Sequence, residues 1–98
     1  IEQTSQFFVY ILHCSDGSYY VGQTQDLDNR LSAHNDGKAA SWTAKRRPVV
    51  LAFREAHDNR SGAVRRETQL KKWSRAKKEA LISGDFEKLK ELSKRRSL

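Results

Sequence analysis

The sequence predicts an α+β domain: a small three-stranded antiparallel sheet flanked by helices in an α/β sandwich. Three observations carry this. Two short runs rich in aromatic and β-branched residues flank a Ser-Asp-Gly turn, a third such run follows the single proline, and the remainder has helical periodicity. Phe7 to Cys14 and Ser18 to Gln23 are the first two strands, and Ser15-Asp16-Gly17 between them is a hairpin signal. Asp26 then caps a helix from about Leu27 to Asn35, stopped by Asp36-Gly37, whose apolar stripe is Leu27 and Leu31. A polar loop from Gly37 to Arg47, containing Trp42, leads through Pro48 into a third strand, Val49 to Ala56. From Asn59 to Trp73 the apolar residues return at helical spacing, with Ala63, Val64 and Leu70 as the inward stripe. A break near Ser74, a short continuation to Ile82 and, after Gly84, an Asp85-capped helix carrying Phe86, Leu89 and Leu92 complete the chain.

Composition narrows the function classes. The 98 residues suit one domain with one modest core. Nineteen lysines and arginines against 12 acidic residues give a formal charge of +7, and the charge is unevenly placed. Between Arg60 and Lys78 the sole acid is Glu67. A polyanion is the partner such a surface suits, and Lys45, Arg46, Arg47, Arg65, Arg66, Lys71, Lys72, Arg75, Lys77 and Lys78 are the candidate contacts, with the Lys94-Arg95-Arg96 tail behind them. A solvated basic face is the plain alternative. A membrane is not expected as partner, because no stretch approaches the length of a spanning helix. Cys14 is alone, which excludes a disulfide framework and a cysteine cluster for zinc. With no secretory signal visible, a cytoplasmic location is expected.

Glu67 departs from this pattern in another way. It falls within the inward stripe, whereas an ordinary surface glutamate would join Arg65, Arg66, Lys71 and Lys72 on the wet side. An inward carboxylate must be paired, protonated or bound to a metal. Both a buried salt bridge and a site of chemistry meet that demand.

Phe8-Val9-Tyr10, then Tyr20-Val21-Gly22, then Arg30 and His34 on the following helix and Glu67 on a later one, resemble the GIY-YIG endonuclease superfamily in order and spacing. The likeness runs from about Phe8 to Ile82. Val9-Tyr10-Ile11-Leu12, Asp16-Gly17-Ser18, Gly22-Gln23-Thr24, Asp26-Leu27, His34-Asn35, Gly37-Lys38 and Trp73-Ser74-Arg75 make it closest to the small stand-alone bacterial YhbQ-like members. The resemblance implies a single domain over residues 1–98, with a motif core of about 7–82 and a basic helix of about 85–96. The first triplet is Phe-Val-Tyr in place of Gly-Ile-Tyr, Gln23 stands where some relatives carry lysine, and a downstream asparagine common in the family is missing.

The resemblance further implies a divalent-metal-dependent phosphodiesterase acting on nucleic acid, DNA ahead of RNA, of the repair or recombination type. Tyr10, Tyr20, Arg30, His34 and Glu67 would be its catalytic residues. Glu67 would hold one Mg²⁺, with Mn²⁺ as a substitute and waters filling most of the shell. Arg30 and His34, one helical turn apart, would supply a fixed planar charge for phosphate oxygens and a hydrogen bond or proton shuttle. A salt bridge from Arg30 to Glu67 or Asp26, and a helix-capping role for His34, are the structural alternatives. Tyr20 would be the base and Tyr10 its support. Gly22 would allow close approach of the backbone to a helix or phosphate, or mark a bulge. Targeting would then come from the basic helices or from a partner protein. A nucleic-acid-binding module that keeps the fold without turnover is the alternative function.

A shared site for the two tyrosines places a demand on the hairpin. A two-residue Asp16-Gly17 loop would send Tyr10 and Tyr20 to opposite faces. The expectation is therefore a three-residue Ser15-Asp16-Gly17 loop with Gly17 left-handed, pairing Tyr10 with Gly22 and Tyr20 with Leu12.

Overall fold

The computed structural model describes residues 6–95. Arg96, the end of the predicted basic tail, lies outside the described residues. Strands β1 (Phe7–Cys14), β2 (Tyr19–Thr24) and β3 (Val49–His57) form one antiparallel sheet in the order β2-β1-β3. Helices α1 (Leu27–Asn35), α2 (Ser41–Ala44), α3 (Arg60–Lys71), α4 (Arg75–Ser83) and α5 (Phe86–Arg95) surround it. The α+β prediction holds.

The hairpin takes the three-residue form. Cys14 N–H donates to Ser18 O at 2.9 Å, Gly17 N–H donates back to Cys14 O at 2.9 Å, and Gly17 has φ +88°. A side chain at Gly17 would strain that left-handed backbone. The resulting register sets Tyr10 against Gly22 and Leu12 against Tyr20. Tyr10, Leu12, Cys14 and Tyr20 thus share one face, where they pack with Val49, Leu27 and Leu31 beneath α1. Val9, Ile11 and Val21 occupy the other face and pack against Ala63 and Leu70 of α3 and Leu81 of α4. On the β3 side the register slips between Ile11 and Leu12, because Ile11 faces Phe53 while Leu12 faces Leu51, leaving Ala52 as a bulge.

Side-chain caps start four of the five helices among the described residues. Asp26 accepts from Asn29 N–H at 3.1 Å, Asn59 from Gly62 N–H at 2.8 Å, Ser74 from Lys77 N–H at 3.2 Å and Asp85 from Lys88 N–H at 3.1 Å. Ser74 therefore starts a separate helix and does not merely interrupt one. Asn35 ties the end of α1 to the start of β3, donating to Val49 O at 3.0 Å and accepting from Val49 N–H at 2.8 Å.

Three expectations need correction. Val64 is 40% exposed and lies outside the inward stripe. Ala63, Glu67 and Leu70 recur at i, i+4 and i+7, a narrow stripe, and Val64 stands about 100° of helix turn away from Ala63. The loop after Gly37 contains α2, a single turn too short to show periodicity. Gly22 makes room for a side chain, the buried Tyr10, in place of a helix: a Cβ there would lie 2.5 Å from Tyr10 Oη and 2.7 Å from Cζ.

Tyr10 is 1% exposed and cannot swing clear of an added methyl group. Gly22→Ala is therefore expected to cost about 1–3 kcal/mol, the usual toll of overpacking. Urea unfolding of the variant checks it, and an unchanged midpoint would mean the phenol is not held over Gly22.

Candidate active site

The register of β1 and β2 gathers Tyr10 and Tyr20, with ring centroids 6.4 Å apart. His34 of α1 joins them, 5.9 Å from the Tyr10 ring and 5.0 Å from the Tyr20 ring, edge-on to both. Its ring is 1% exposed. His34 Nε2 lies 3.0 Å from Tyr10 Oη, and Nδ1 lies 2.9 Å from Thr43 Oγ1 of α2. Both ring nitrogens are thus engaged inside the protein, and a capping role for the side chain is ruled out. Trp42, the neighbour of Thr43, stacks on Tyr20 at 5.9 Å and 29°.

Arg30 sits one turn before His34 on α1 and is exposed. It forms no ion pair among the described residues, so the anticipated bridges to Glu67 and Asp26 are absent. Its positive charge nonetheless bears on both Tyr10 and His34. Glu67 bears on Tyr10 as well. The Glu67 side chain is 19% exposed and pairs with Lys71 at 3.1 Å, one turn along α3. Lys71 is itself 54% exposed, so the pair is open to solvent and not a sealed bridge.

The phenol of Tyr10 is held well above the ordinary tyrosine range, first by burial and then by the charges of Tyr20 and Glu67, against the opposing pull of Arg30. It stays protonated at neutral pH, which suits a supporting role. His34 is pushed the other way: burial, with Arg30 adding to it, lowers its affinity for a proton. The imidazole is neutral at pH 7.

A cavity of about 270 Å³ adjoins Arg30, lined by Gln23, Thr24, Gln25, Asp26, Asn29, Arg30 and Arg60. Arg60 opens α3 seven residues before Glu67, so both lie on the same side of that helix. Sequence reading missed Arg60 and Thr43. The seven-residue spacing to Glu67 was available as a signal for the first, whereas nothing local marked Thr43 as buried.

The predicted basic surface is not one surface. Lys77 is 5% exposed and lies over the Trp73 ring at 4.4 Å, so it is no ready phosphate contact. Arg66 is held by both carboxylate oxygens of Glu55 at 3.0 and 3.3 Å and by Gln69 at 2.8 Å. Arg46 pairs with Asp16 at 3.1 Å and covers the Trp42 ring at 3.9 Å. Arg75 donates to Gly17 O at 2.7 Å and pairs with Glu79 at 3.0 Å, and Arg47 donates to Ala44 O at 2.7 Å. Lys78 is half-buried, and that burial weakens its hold on a proton. Lys45, Arg65 and Lys72 are exposed. Arg65 and Lys72 share a side of α3, and it is the side turned away from Glu67.

Among the described residues no group of three His, Cys, Asp or Glu side chains could hold a metal ion. Nor is any helix there long and apolar enough to cross a membrane.

Comparison with known proteins matches residues 6–80 to the GIY-YIG catalytic domain. A UPF0213 protein of Halobacterium salinarum is 49% identical over 74 residues, covering 76% of this chain and 96% of that protein. One from Staphylococcus saprophyticus is 45% identical over 76 residues, covering 78% and 93%. The solution NMR structure of a protein from E. faecalis superimposes with TM-score 0.59 at 38% identity over 88% of this chain and 92% of that one. The UPF0213 protein of Bacillus halodurans, also an NMR structure, gives 0.53 at 44% identity over 80% and 83%.

The neutral His34 generates a prediction with a definite sign. In the unfolded chain an imidazole titrates near about 6.5, and in the fold it takes a proton only at lower pH. The unfolded state then binds more protons below about 6.5, so the stability contributed by neutral His34 is whole above that pH and is lost as pH falls toward the folded value. Urea midpoints measured from about pH 8 to 5 should decline in that window, and His34→Gln should flatten the decline. A variant declining as steeply as the parent would show that His34 is not the group responsible.

Proposed function

The chain belongs to the GIY-YIG catalytic domain family, and from that membership we propose that it is a divalent-metal-dependent endonuclease that hydrolyses phosphodiester bonds of nucleic acid, DNA in preference to RNA. The observation that carries this reading is the exposed guanidinium of Arg30, free of any ion pair among the described residues while its charge bears on Tyr10 and His34. A planar cation left without an ion pair, close enough to act on a phenol and an imidazole, suits a phosphate. A binding module would not require the inward Glu67.

Phosphodiester hydrolysis forms a bond from a water oxygen to phosphorus and breaks the bond from phosphorus to the leaving nucleotide oxygen. In the proposed reaction Arg30 holds the non-bridging oxygens and offsets the charge they gain in the transition state. Tyr10, kept protonated, supports the tyrosine pair, and Tyr20 is the base that takes the proton from the attacking water. Arg60, across the cavity from Arg30, contacts a flanking phosphate. Glu67 fits as the holder of Mg²⁺ or Mn²⁺: it is a hard oxygen donor, half-buried, and already carries a cation in the Lys71 ammonium. The bound ion would supply charge neutralisation and a more acidic water. Repair or recombination structures, branched or nicked, are the proposed substrates, and a partner protein or the basic side chains would direct the choice. A cytoplasmic location goes with this reading.

Glu67→Gln is expected to abolish cleavage of labelled duplex, single-stranded and forked substrates in Mg²⁺, while folding stays near the parent because the exposed pair with Lys71 is worth only about 0.3–0.5 kcal/mol. Arg30→Ala should cut turnover by about 10²–10³-fold with a much smaller loss of affinity. Undiminished turnover in the glutamine variant would refute the metal role, and a parent that binds every substrate but cuts none would favour the binding module.

Affinity has its own test. Arg60→Glu should weaken binding to all sequences alike and reduce the salt slope by about one. Reversal of Arg65 and Lys72 should matter less, since they face away from Glu67. The opposite ranking, read from binding curves at several salt concentrations, would move the docking surface to the far side of α3.

A further inference from the structure

The three side chains Tyr10, His34 and Thr43 form a chain of hydrogen bonds whose direction follows from counting donors and acceptors. Thr43 is fully buried, and its Oγ1 lies 2.9 Å from His34 Nδ1 and 3.1 Å from Ala40 O. Tyr10 Oη has His34 Nε2, at 3.0 Å, as its hydrogen-bond partner among the described residues. A neutral imidazole carries one hydrogen, so two arrangements exist. With the hydrogen on Nδ1, Tyr10 O–H donates to Nε2, Nδ1–H donates to Thr43, and Thr43 O–H donates to Ala40 O. Three hydrogens then meet three acceptors. With the hydrogen on Nε2, Thr43 donates to Nδ1 and the imidazole donates to Tyr10, and the phenolic hydrogen of a side chain 1% exposed has no acceptor among the described residues. A buried donor without a partner is costly.

We infer that Thr43 is a positioning residue: anchored on Ala40 O, it holds His34 in the Nδ1–H tautomer and thereby makes the Tyr10 hydroxyl a donor to the protein. Tyr10, held as a donor to His34, does not act as the base, which leaves that role to Tyr20. The catalytic consequence rests on the proposed hydrolase reading, but the tautomer itself does not.

Long-range proton–nitrogen correlation spectra of the ¹⁵N-labelled chain read the tautomer directly, with His34→Gln identifying the signal. The His34 ring is expected to carry its hydrogen on Nδ1 in the parent and in Thr43→Ser, and to lose that preference in Thr43→Val, which can neither accept from Nδ1 nor donate to Ala40 O. On any substrate the parent cleaves, Thr43→Val should lower kcat by about tenfold with little change in KM, the worth of one buried hydrogen bond, and Thr43→Ser should restore it. A parent ring protonated on Nε2 would overturn the inference, whether or not the valine variant folds. So would a valine variant that keeps the Nδ1–H form. Absence of cleavage with the Nδ1–H form intact would sink the hydrolase reading and leave the role of Thr43 standing.

Discussion

Strand pairing has a period of two, so moving β2 by one residue against β1 would turn Tyr20 to the face that carries Val9 and Ile11. The three-residue Ser15-Asp16-Gly17 turn prevents this, and it depends on Gly17 at φ +88°. With the register set, Gly22 is carried opposite Tyr10, where its missing side chain makes room for a phenol lying across the neighbouring strand. Tyr10 can then reach His34, and His34 can reach Thr43. A turn at one end of the hairpin thereby decides the placement of a hydrogen-bond chain on the other side of the sheet.

Charge is distributed by the same economy of space. Many of the basic side chains are occupied within the fold: Arg66 holds Glu55, Arg46 holds Asp16 and covers Trp42, and Arg75 anchors the hairpin turn through Gly17 O. Arg30 is treated differently. It stands exposed on the cavity that Arg60 of α3 also lines, with no ion pair among the described residues. Net charge made a polyanion the partner to consider, but the arrangement of the unspent cations is what says where such a partner would lie.

Much of the framework was legible beforehand because its signals are local. Caps at Asp26 and Asp85, the Gly84 stop and the hairpin turn each act within a few residues of chain, and the structure keeps all of them. The reading of Val64 failed for a different reason. A helix stripe predicted from apolar residues alone takes every nearby aliphatic side chain as inward, whereas the sheet surface offers α3 room only for the narrow line of Ala63, Glu67 and Leu70. Lys77 failed in the opposite sense, since its long apolar stem lies against Trp73 and carries a nominally wet residue inside.

The sequence by itself determined every element but α2 and the inward turn of Glu67, since each rests on dihedral preference or on periodicity along one stretch of chain, and it determined the hairpin register once the two tyrosines were required to share a face. Tertiary structure alone decided what those elements bring together. Thr43 meets His34 because α2 folds back over α1, and Arg60 borders the Arg30 cavity because α3 begins where β2 ends in space. Neither meeting has a local signature: one joins residues nine apart across a single turn too short for periodicity, and the other joins two helices separated by that turn and a strand. Contacts of that kind depend on where chain segments pack, and packing is a property of the whole fold.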